Sequence, residues 1–492
     1  MRSLSTLKLL ATAAFFTISG LTAAQPGAEK APAAPGGAAA TAEVTAGQRH
    51  LMARYRISAA DAAERLSLEE NVAALAKRIG SEQPDDFGGV WIEHEPTYKI
   101  VVAFKGADDR AAVRDTIDPA LRRYVQIKNT RTSTKEREAI GDRIATALAA
   151  ARIPYVSYYE HRSDDMVIEV GSDTGVGAVR KILPQDLQSN VKIVRGSVPA
   201  QVQATGAAAG DGVWGGWWGN RQQADHTHYC SYAFAAKDNS GAVGMLTAAH
   251  CDNGGYIKYT TPTAHWVTLS APTVEWNAAN TKYDYQFHRI APLTTSAFVF
   301  FDNSSTKIWA RNIFSTTPNY QSDSPKNVIA GYAADGYFKV VGTYGYYDQA
   351  VGNVMCKSGH STGLTCGEIT HGYYTYNGAK GWIETGNSTQ FIYATWGDSG
   401  GAVFTQPTGT GTIKAAGIIT AATIYDPTPD PTTGAVNNSG DEKPCLSTME
   451  NNTAYKSTLS GTQPAIADCR MVHMPIDYVD DQQLLTVLTT TP

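Results

Sequence analysis

Residues 244–251 read Gly-Met-Leu-Thr-Ala-Ala-His-Cys, and residues 397–401 read Gly-Asp-Ser-Gly-Gly. In the second stretch a serine follows an aspartate and is flanked by glycines. Glycine allows a sharp turn and leaves room for another group to approach, so the pattern suits a nucleophile held on a tight turn. A serine hydroxyl is a poor nucleophile at neutral pH and needs a base. His250 is the side-chain type whose unperturbed pKa lies in that range. That base in turn needs an acceptor on its other ring nitrogen, to fix the tautomer and to stabilise the imidazolium.

Around these stretches, from about residue 221 onward, short apolar and Tyr- or Thr-rich runs alternate with Gly, Asn, Asp and Pro turns. The only amphipathic helix pattern there is Pro475–Leu488. Such a pattern predicts an all-β sandwich or barrel with a C-terminal helix. The preceding region differs in kind. Residues 51–200 carry 44 charged side chains in 150, or 29%, whereas residues 201–492 carry 37 in 292, or 13%. All six cysteines lie between Cys230 and Cys469. Two kinds of domain are joined in one chain of 492 residues, long enough for two or three ordinary cores. With 41 Lys and Arg against 46 Asp and Glu, the balance fits neither a polybasic nucleic-acid binder nor an acidic disordered chain.

Arg2 and Lys8 precede an apolar run from Leu9 to Ile18, followed by Gly20 and Leu21-Thr22-Ala23-Ala24. This is the layout of a secretory signal over residues 1–24. The run is too short for a membrane anchor, which needs roughly 20 apolar residues. Export makes six cysteines readable as three disulfides, with 15 possible pairings in sequence terms alone. Residues 25–48 are rich in Ala, Pro and Gly and read as a linker. Ser58 can cap a helix running to Ile79, with Gly80 ending it.

A repeat follows. Val90–His94 and Tyr98–Phe104 read as a hairpin, then a helix over Asp109–Leu121 and a strand at Tyr124–Ile127. Tyr155–His161 and Met166–Val170 form a second hairpin, then a helix at Val176–Ile182 and a strand at Val191–Val194. Ala112-Val113-Arg114 and Ala178-Val179-Arg180 stand 66 residues apart, as do Val125 and Val191. Two β-β-α-β units joined by a charged helix over Ser133–Ala151 are the simplest reading. Residues 196–219 then turn rich in Gly, Ala and Trp, a boundary between the two domains.

The two opening motifs together resemble the chymotrypsin-like serine peptidases, in which Thr-Ala-Ala-His-Cys and Gly-Asp-Ser-Gly-Gly hold base and nucleophile. Cys230-Ser231-Tyr232-Ala233-Phe234, the Cys356–Gly367 stretch and Ala416-Gly417-Ile418-Ile419-Thr420 are similar to the secreted streptogrisin and α-lytic subgroup. The charged repeat also resembles that subgroup's pro-region, a folding catalyst that afterwards inhibits its product. The resemblance implies a double Greek-key β-barrel at residues 221–492, a pro-region at 49–199 and a processing linker at 200–220. It implies a triad of Ser399, His250 and Asp284, the last in the aromatic run Tyr283–Ile290, where a buried aspartate demands partners. The oxyanion hole would be the N–H groups of Gly397 and Ser399. Asp398 would be the buried partner of the mature N-terminal region or of an internal substitute. It pairs Cys230 with Cys251 and Cys356 with Cys366, and leaves Cys445 with Cys469.

The chain departs from that pattern in places. No cysteine precedes the serine motif, where Tyr393-Ala394-Thr395-Trp396 stands instead, and Ile424–Ala467 is unusually long. Tyr393 occupies the place of an acidic pocket floor, which disfavours Arg or Lys in the pocket because their charge would lack a partner. Thr420 falls on the substrate strand, where its hydroxyl can reach Asp284, and Ala422 narrows the pocket toward small or medium apolar side chains. His226 and His228 lack a third ligand and read as surface histidines, so no metal or other cofactor is expected. Asp426, Asp430, Asp441 and Glu442 read as a solvated acidic loop rather than a calcium site, and Trp214, Trp217 and Trp218 as boundary packing. Asn303, Asn387, Asn437 and Asn451 head glycosylation sequons, whereas the Ala-rich leader points to a bacterial host.

The expected partners are protein or peptide substrates and the chain's own pro-region, with no nucleic acid and no membrane once the signal is removed. The reading is a secreted, extracellular serine endopeptidase made as a zymogen and cut somewhere in residues 196–225. Two alternatives stand beside it. One is a binding or adhesion protein on a peptidase scaffold with a blocked cleft, and the other is an esterase or single-target peptidase.

Overall fold

A computed structural model describes residues 44–106, 111–149, 153–196, 198, 200–201, 218–221, 229–251, 255–260, 264–268, 271–277, 282–290, 297–301, 336–359, 363–376, 378–387, 394, 397–408, 411–422, 424–425, 443–444 and 469–490. These residues are mostly β-sheet, with few helices. The signal and most of the 25–48 linker lie outside them. The end of that stretch is folded: Thr45 and Gln48 form a capping box that starts a helix over Ala46–Tyr55.

Both units of the repeat have one topology. Phe87–Glu93 pairs antiparallel with Lys99–Lys105, which pairs parallel with Val125–Thr130. Likewise Tyr155–Glu160 pairs antiparallel with Asp165–Val170, which pairs parallel with Val191–Arg195. The connecting helix Thr134–Leu148 opens on a second capping box, between Ser133 and Glu136. Ile144 and Leu148 pack with Tyr155, Ile168 and Val179 in the second unit's core.

Two of the expected helices are divided in the structure. The single helix from Ser58 to Ile79 is two, Ala59–Ser67 and Glu69–Glu82. Gly80 lies inside the second, and a Cβ there would press at 3.2 Å on the Phe87 ring, so it serves packing rather than termination. The Asp109–Leu121 helix is broken into Ala111–Asp115 and Pro119–Arg122. Pro119 forces Asp118 out of the helical region, and the Asp118 carboxylate then caps the Ala120 N–H at 2.7 Å.

The low-charge half holds two main sheets that matter for the site. One orders Val274–Asn277, Asp284–Arg289, Val243–Thr247, Ala235–Asp238 and Leu485–Val487. In the other, the long strand Thr412–Ala422 pairs with Gly336–Thr343, Ala402–Thr405 and Cys469–Pro475. Ala402–Thr405 continues through Val354–Gly359 to Gly363–Tyr376. That last strand pairs with Tyr155–Glu160, joining the second β-β-α-β unit to the same sheet through Thr375↔Ser157 and Tyr376↔Val156.

The C-terminal helix expected over Pro475–Leu488 is absent. Its residues form the end of the Cys469–Pro475 strand, a 3₁₀ turn over Ile476–Val479, and the strand Leu485–Val487. The apolar spacing reflects burial, since Ile476, Val479 and Leu485 are all buried. Cross-strand partners decide the conformation: Asp238↔Leu485, Lys237↔Thr486 and Ala236↔Val487 complete a sheet edge.

Candidate active site

The strand Val243–Thr247 runs into buried Ala248 and Ala249 and delivers His250 just beyond its end. The Cys230–Cys251 disulfide anchors the next residue, and Gln286 Nε2 donates to the carbonyls of Ala248 and Cys251. Gln286 lies opposite Thr247 in the neighbouring strand, so Asp284, which opens that strand, comes alongside His250. Its Oδ1 accepts the His250 backbone N–H at 3.0 Å and its Oδ2 lies 2.8 Å from Nδ1. His250 Nε2 is 2.9 Å from Ser399 Oγ.

Both members of the His–Asp pair are buried, with 5% and 4% of their side chains exposed. Burial raises the Asp284 pKa, but the charge and hydrogen bonds of His250 and the Thr420 hydroxyl outweigh it and hold the carboxyl below its usual range. An ionised Asp284 accepts a hydrogen bond from Nδ1–H, which keeps the ring proton on Nδ1 and leaves Nε2 free to accept from Ser399.

The serine turn is braced from several sides. Ser231 N–H donates to the Ser399 carbonyl at 2.7 Å, and its hydroxyl donates to the Gly397 carbonyl at 2.6 Å. Thr247 Oγ1 donates to the Ser231 carbonyl at 2.7 Å. Gly400, at φ +79°, has to be glycine, because a Cβ there would strike Thr247 Oγ1 and the Ser231 carbonyl. Gly400 N–H donates to the Ile419 carbonyl, and Ile419 N–H to that of Gly401, tying the turn to the long strand.

Lys357 was not singled out from the sequence. It is fully buried, its Nζ donates to the Gly363 carbonyl at 2.9 Å and lies 3.7 Å from Asp398 Oδ2. Burial pushes its pKa down to about 8, against the opposing pull of Asp398. The detectable signal was its place beside Cys356: the Cys356–Cys366 disulfide closes the hairpin that carries it. Asp398 thus has an internal cation as partner, one residue from Ser399. Lys357→Met is expected to cost about 3–5 kcal/mol by leaving a buried carboxylate without its cation. Denaturant unfolding in a Ser399→Ala background measures it, and a loss under 1 kcal/mol contradicts the role.

The remaining predicted residues divide. Gly397 is in the serine turn at φ +93°. Thr420 and Ala422 are buried in the long strand. Both disulfides named above join the cysteines that the resemblance pairs. Tyr393 and Cys445 lie outside the described residues, as does the side chain of Cys469. So do His226, His228, the acidic loop residues, Trp214 and Trp217, while Trp218 opens a short strand paired with Tyr229–Ser231.

No family model matches the chain. Among solved structures it is similar to Protease A of Thermobifida fusca, at 17% identity and TM-score 0.31, over 57% of this chain and 100% of that one. It is also similar to the Nocardiopsis protease NAPase (17% identity, TM-score 0.30, 57% and 100%). A third is the chymotrypsin of Cellulomonas bogoriensis (20% identity, TM-score 0.29, 56% and 99%). At these values the chemistry is read from the side chains alone.

Buried charge is also concentrated where the charged region meets the low-charge half. Arg470 Nη1 lies 2.8 Å from Glu169 of the second repeat unit and 3.8 Å from Glu384. Glu384 Oε1 also takes hydrogen bonds from His371 Nδ1 and Thr370 Oγ1, at 2.8 and 2.7 Å. Burial opposes its ionisation, yet Arg470 and His371 hold its pKa at about 2. Farther along, His50 and Tyr55 of the first helix both reach Glu368, at 2.6 Å each. None of these pairings was legible beforehand, because each joins residues over 85 positions apart or depends on strand register.

Proposed function

We propose that the chain is a secreted serine endopeptidase made as a zymogen, with Ser399 as nucleophile, His250 as base and then acid, and Asp284 as orienting carboxylate. The observation that carries this is one line of contacts, Ser399 Oγ to His250 Nε2 at 2.9 Å and His250 Nδ1 to Asp284 at 2.8 Å. Nucleophile, base and orienter are within hydrogen-bond reach in the order acyl transfer requires.

His250 takes the Ser399 proton as Oγ attacks a peptide carbonyl, then gives it to the departing amine. Water hydrolyses the acyl-enzyme by the same path in reverse. The N–H groups of Gly397 and Ser399 stabilise the tetrahedral oxyanion, at about 3–4 kcal/mol for each donor. The low-charge half is then a double Greek-key barrel at residues 221–492, and two disulfides suit an oxidising, extracellular setting.

Residues 49–199 act as pro-region, folding catalyst and inhibitor. Two pairings favour this. Tyr155–Glu160 extends the sheet of the catalytic half, and Ala200–Gln201 lies along Ala421–Ala422. A β domain built from distant pairings folds slowly, so a preformed sheet edge offered by the repeat lowers the cost of its first non-local contact.

The test is hydrolysis of casein by the secreted, processed protein. Wild type cleaves it, and Ser399→Ala loses activity by a factor of about 10⁴ or more. Casein left intact by processed wild type would bring the blocked-scaffold reading forward. For specificity, Ala422→Gly widens the pocket. Its kcat/KM for a Phe or Leu substrate relative to an Ala substrate rises about tenfold, the scale of a methyl group or two in an apolar pocket. An unchanged ratio in a peptide series contradicts the pocket assignment.

A further inference from the structure

The strand Asp284–Arg289 is buried on both faces from Asp284 to His288. Tyr285 and Phe287 join the main core, while Asp284 and Gln286 share the opposite face. An apolar side chain at 286 would suit such a place better than an amide. Gln286 is fully buried, and among the described residues its Oε1 has no hydrogen-bond partner. A buried amide oxygen left unpaired is costly. The compensation is on the nitrogen. Nε2 donates to the Ala248 carbonyl at 2.9 Å and also to the Cys251 carbonyl. Both neighbours can only accept, so the nitrogen and not the oxygen faces them.

Those two carbonyls stand on either side of His250. The Cys251 N–H donates to the Ala248 carbonyl at 3.1 Å, so residues 248–251 form one tight turn with His250 at its third position. Gln286 ties the first and last residues of that turn to the strand. Asp284, two residues earlier on the same face, takes the His250 N–H at 3.0 Å and meets Nδ1 at 2.8 Å. One strand therefore holds three backbone groups of the turn as well as the ring. The Cys230–Cys251 disulfide ties down the Cys251 side chain but leaves the direction of its carbonyl free.

We propose that Gln286 is a positioning residue for His250: by holding the carbonyls of Ala248 and Cys251, it sets the tilt of the imidazole that keeps Nε2 within reach of Ser399 Oγ. The inference rests on the peptidase reading and adds to it a residue that touches neither substrate nor the reacting atoms. The bond from Nδ1 to Asp284 fixes one point of the ring and not its plane. With the turn untied, the ring can pivot about that point and lengthen the 2.9 Å approach of Nε2 to Ser399. A misplacement of about 1 Å at a reacting group costs on the order of 10²-fold in rate. Substrate affinity is untouched, because Gln286 is fully buried and meets no substrate.

Wild type, Gln286→Met and Gln286→Glu are secreted and matured side by side. The reactive serine in each is counted by complete labelling with a fluorophosphonate, so every rate is expressed per active site. Methionine keeps the length of the side chain and removes both donated bonds. Its kcat on a peptide substrate is expected to fall about 100-fold, with KM within about twofold of wild type. In Gln286→Glu, burial, the two facing carbonyl oxygens and the nearby Asp284 charge all push the new carboxyl toward its protonated form. Its O–H then donates to one carbonyl, and kcat is expected between those of wild type and Gln286→Met. That bond is present below the carboxyl's raised pKa and lost above it, so this variant gains an alkaline fall in kcat that wild type lacks. A merely structural role lowers the number of labelled sites and the thermal midpoint, and leaves kcat per site unchanged. If kcat per site in both variants stays within about threefold of wild type, or if neither variant labels at all, Gln286 is a brace for folding only. The proposal then falls while the peptidase reading stands. If wild type itself neither labels nor cleaves, the peptidase reading falls and the assignment with it.

Discussion

Asp284→Asn is expected to lower kcat about 10⁴-fold with little change in KM. Asp284 makes two contacts with one residue, accepting the His250 backbone N–H with Oδ1 and meeting Nδ1 with Oδ2. A carboxylate can only accept, so it forces the proton onto Nδ1 and keeps Nε2 open toward Ser399 Oγ. An amide of the same shape can present its NH₂ to Nδ1 instead. The ring then carries its proton on Nε2, the nitrogen that has to receive the serine proton. Packing is almost unchanged by the substitution, so the thermal midpoint moves little while turnover collapses. That separation of rate from stability is the informative readout. A loss of less than tenfold in kcat on a peptide substrate removes Asp284 from the reaction and leaves it a structural brace for the His250 turn.

The second large effect concerns stability rather than rate. Arg470→Met is expected to destabilise the full chain by about 3–5 kcal/mol, in a Ser399→Ala background that prevents processing. Glu169 and Glu384 are 2% and 1% exposed and share this guanidinium. Removing it leaves two buried carboxylates facing one another, and the methionine, though of similar reach, satisfies neither. Because Glu169 belongs to the second repeat unit and Glu384 to the low-charge half, the loss is concentrated at their junction. Denaturant unfolding gives the size, and hydrogen exchange locates it, with the amides of Tyr155–Glu160 and Gly363–Tyr376 losing protection first. Even loss of protection throughout the chain, or a change under 1 kcal/mol, contradicts this account.

Much of the architecture was legible because it is locally written. Short apolar runs on either side of a turn in Val90–Phe104 and Tyr155–Val170 specify hairpins, Ser58 caps a helix where expected, and the charged helix begins after Ser133 as expected. The 66-residue repeat showed that the same unit occurs twice. Errors fell where a local preference met a distant partner. Pro475–Leu488 has helical spacing, yet Leu485–Val487 is a strand because Ala235–Asp238 offers an unpaired edge. Gly80 has the chemistry of a helix stop, yet its lack of a side chain accommodates Phe87.

The same division runs through the site. The sequence by itself determined which residue types are present and the tight glycine turn that presents Ser399, since both depend on neighbours within a few positions. Only the tertiary structure decided the 2.8 Å contact of Asp284 with His250, the burial of Lys357 against Asp398 and the register that sets Gln201 opposite Ala421. Those contacts join segments that are 34, 41 and 220 residues apart. A hydrogen bond or ion pair at that separation follows from how strands are paired and what they bury, and no short window of sequence carries that information.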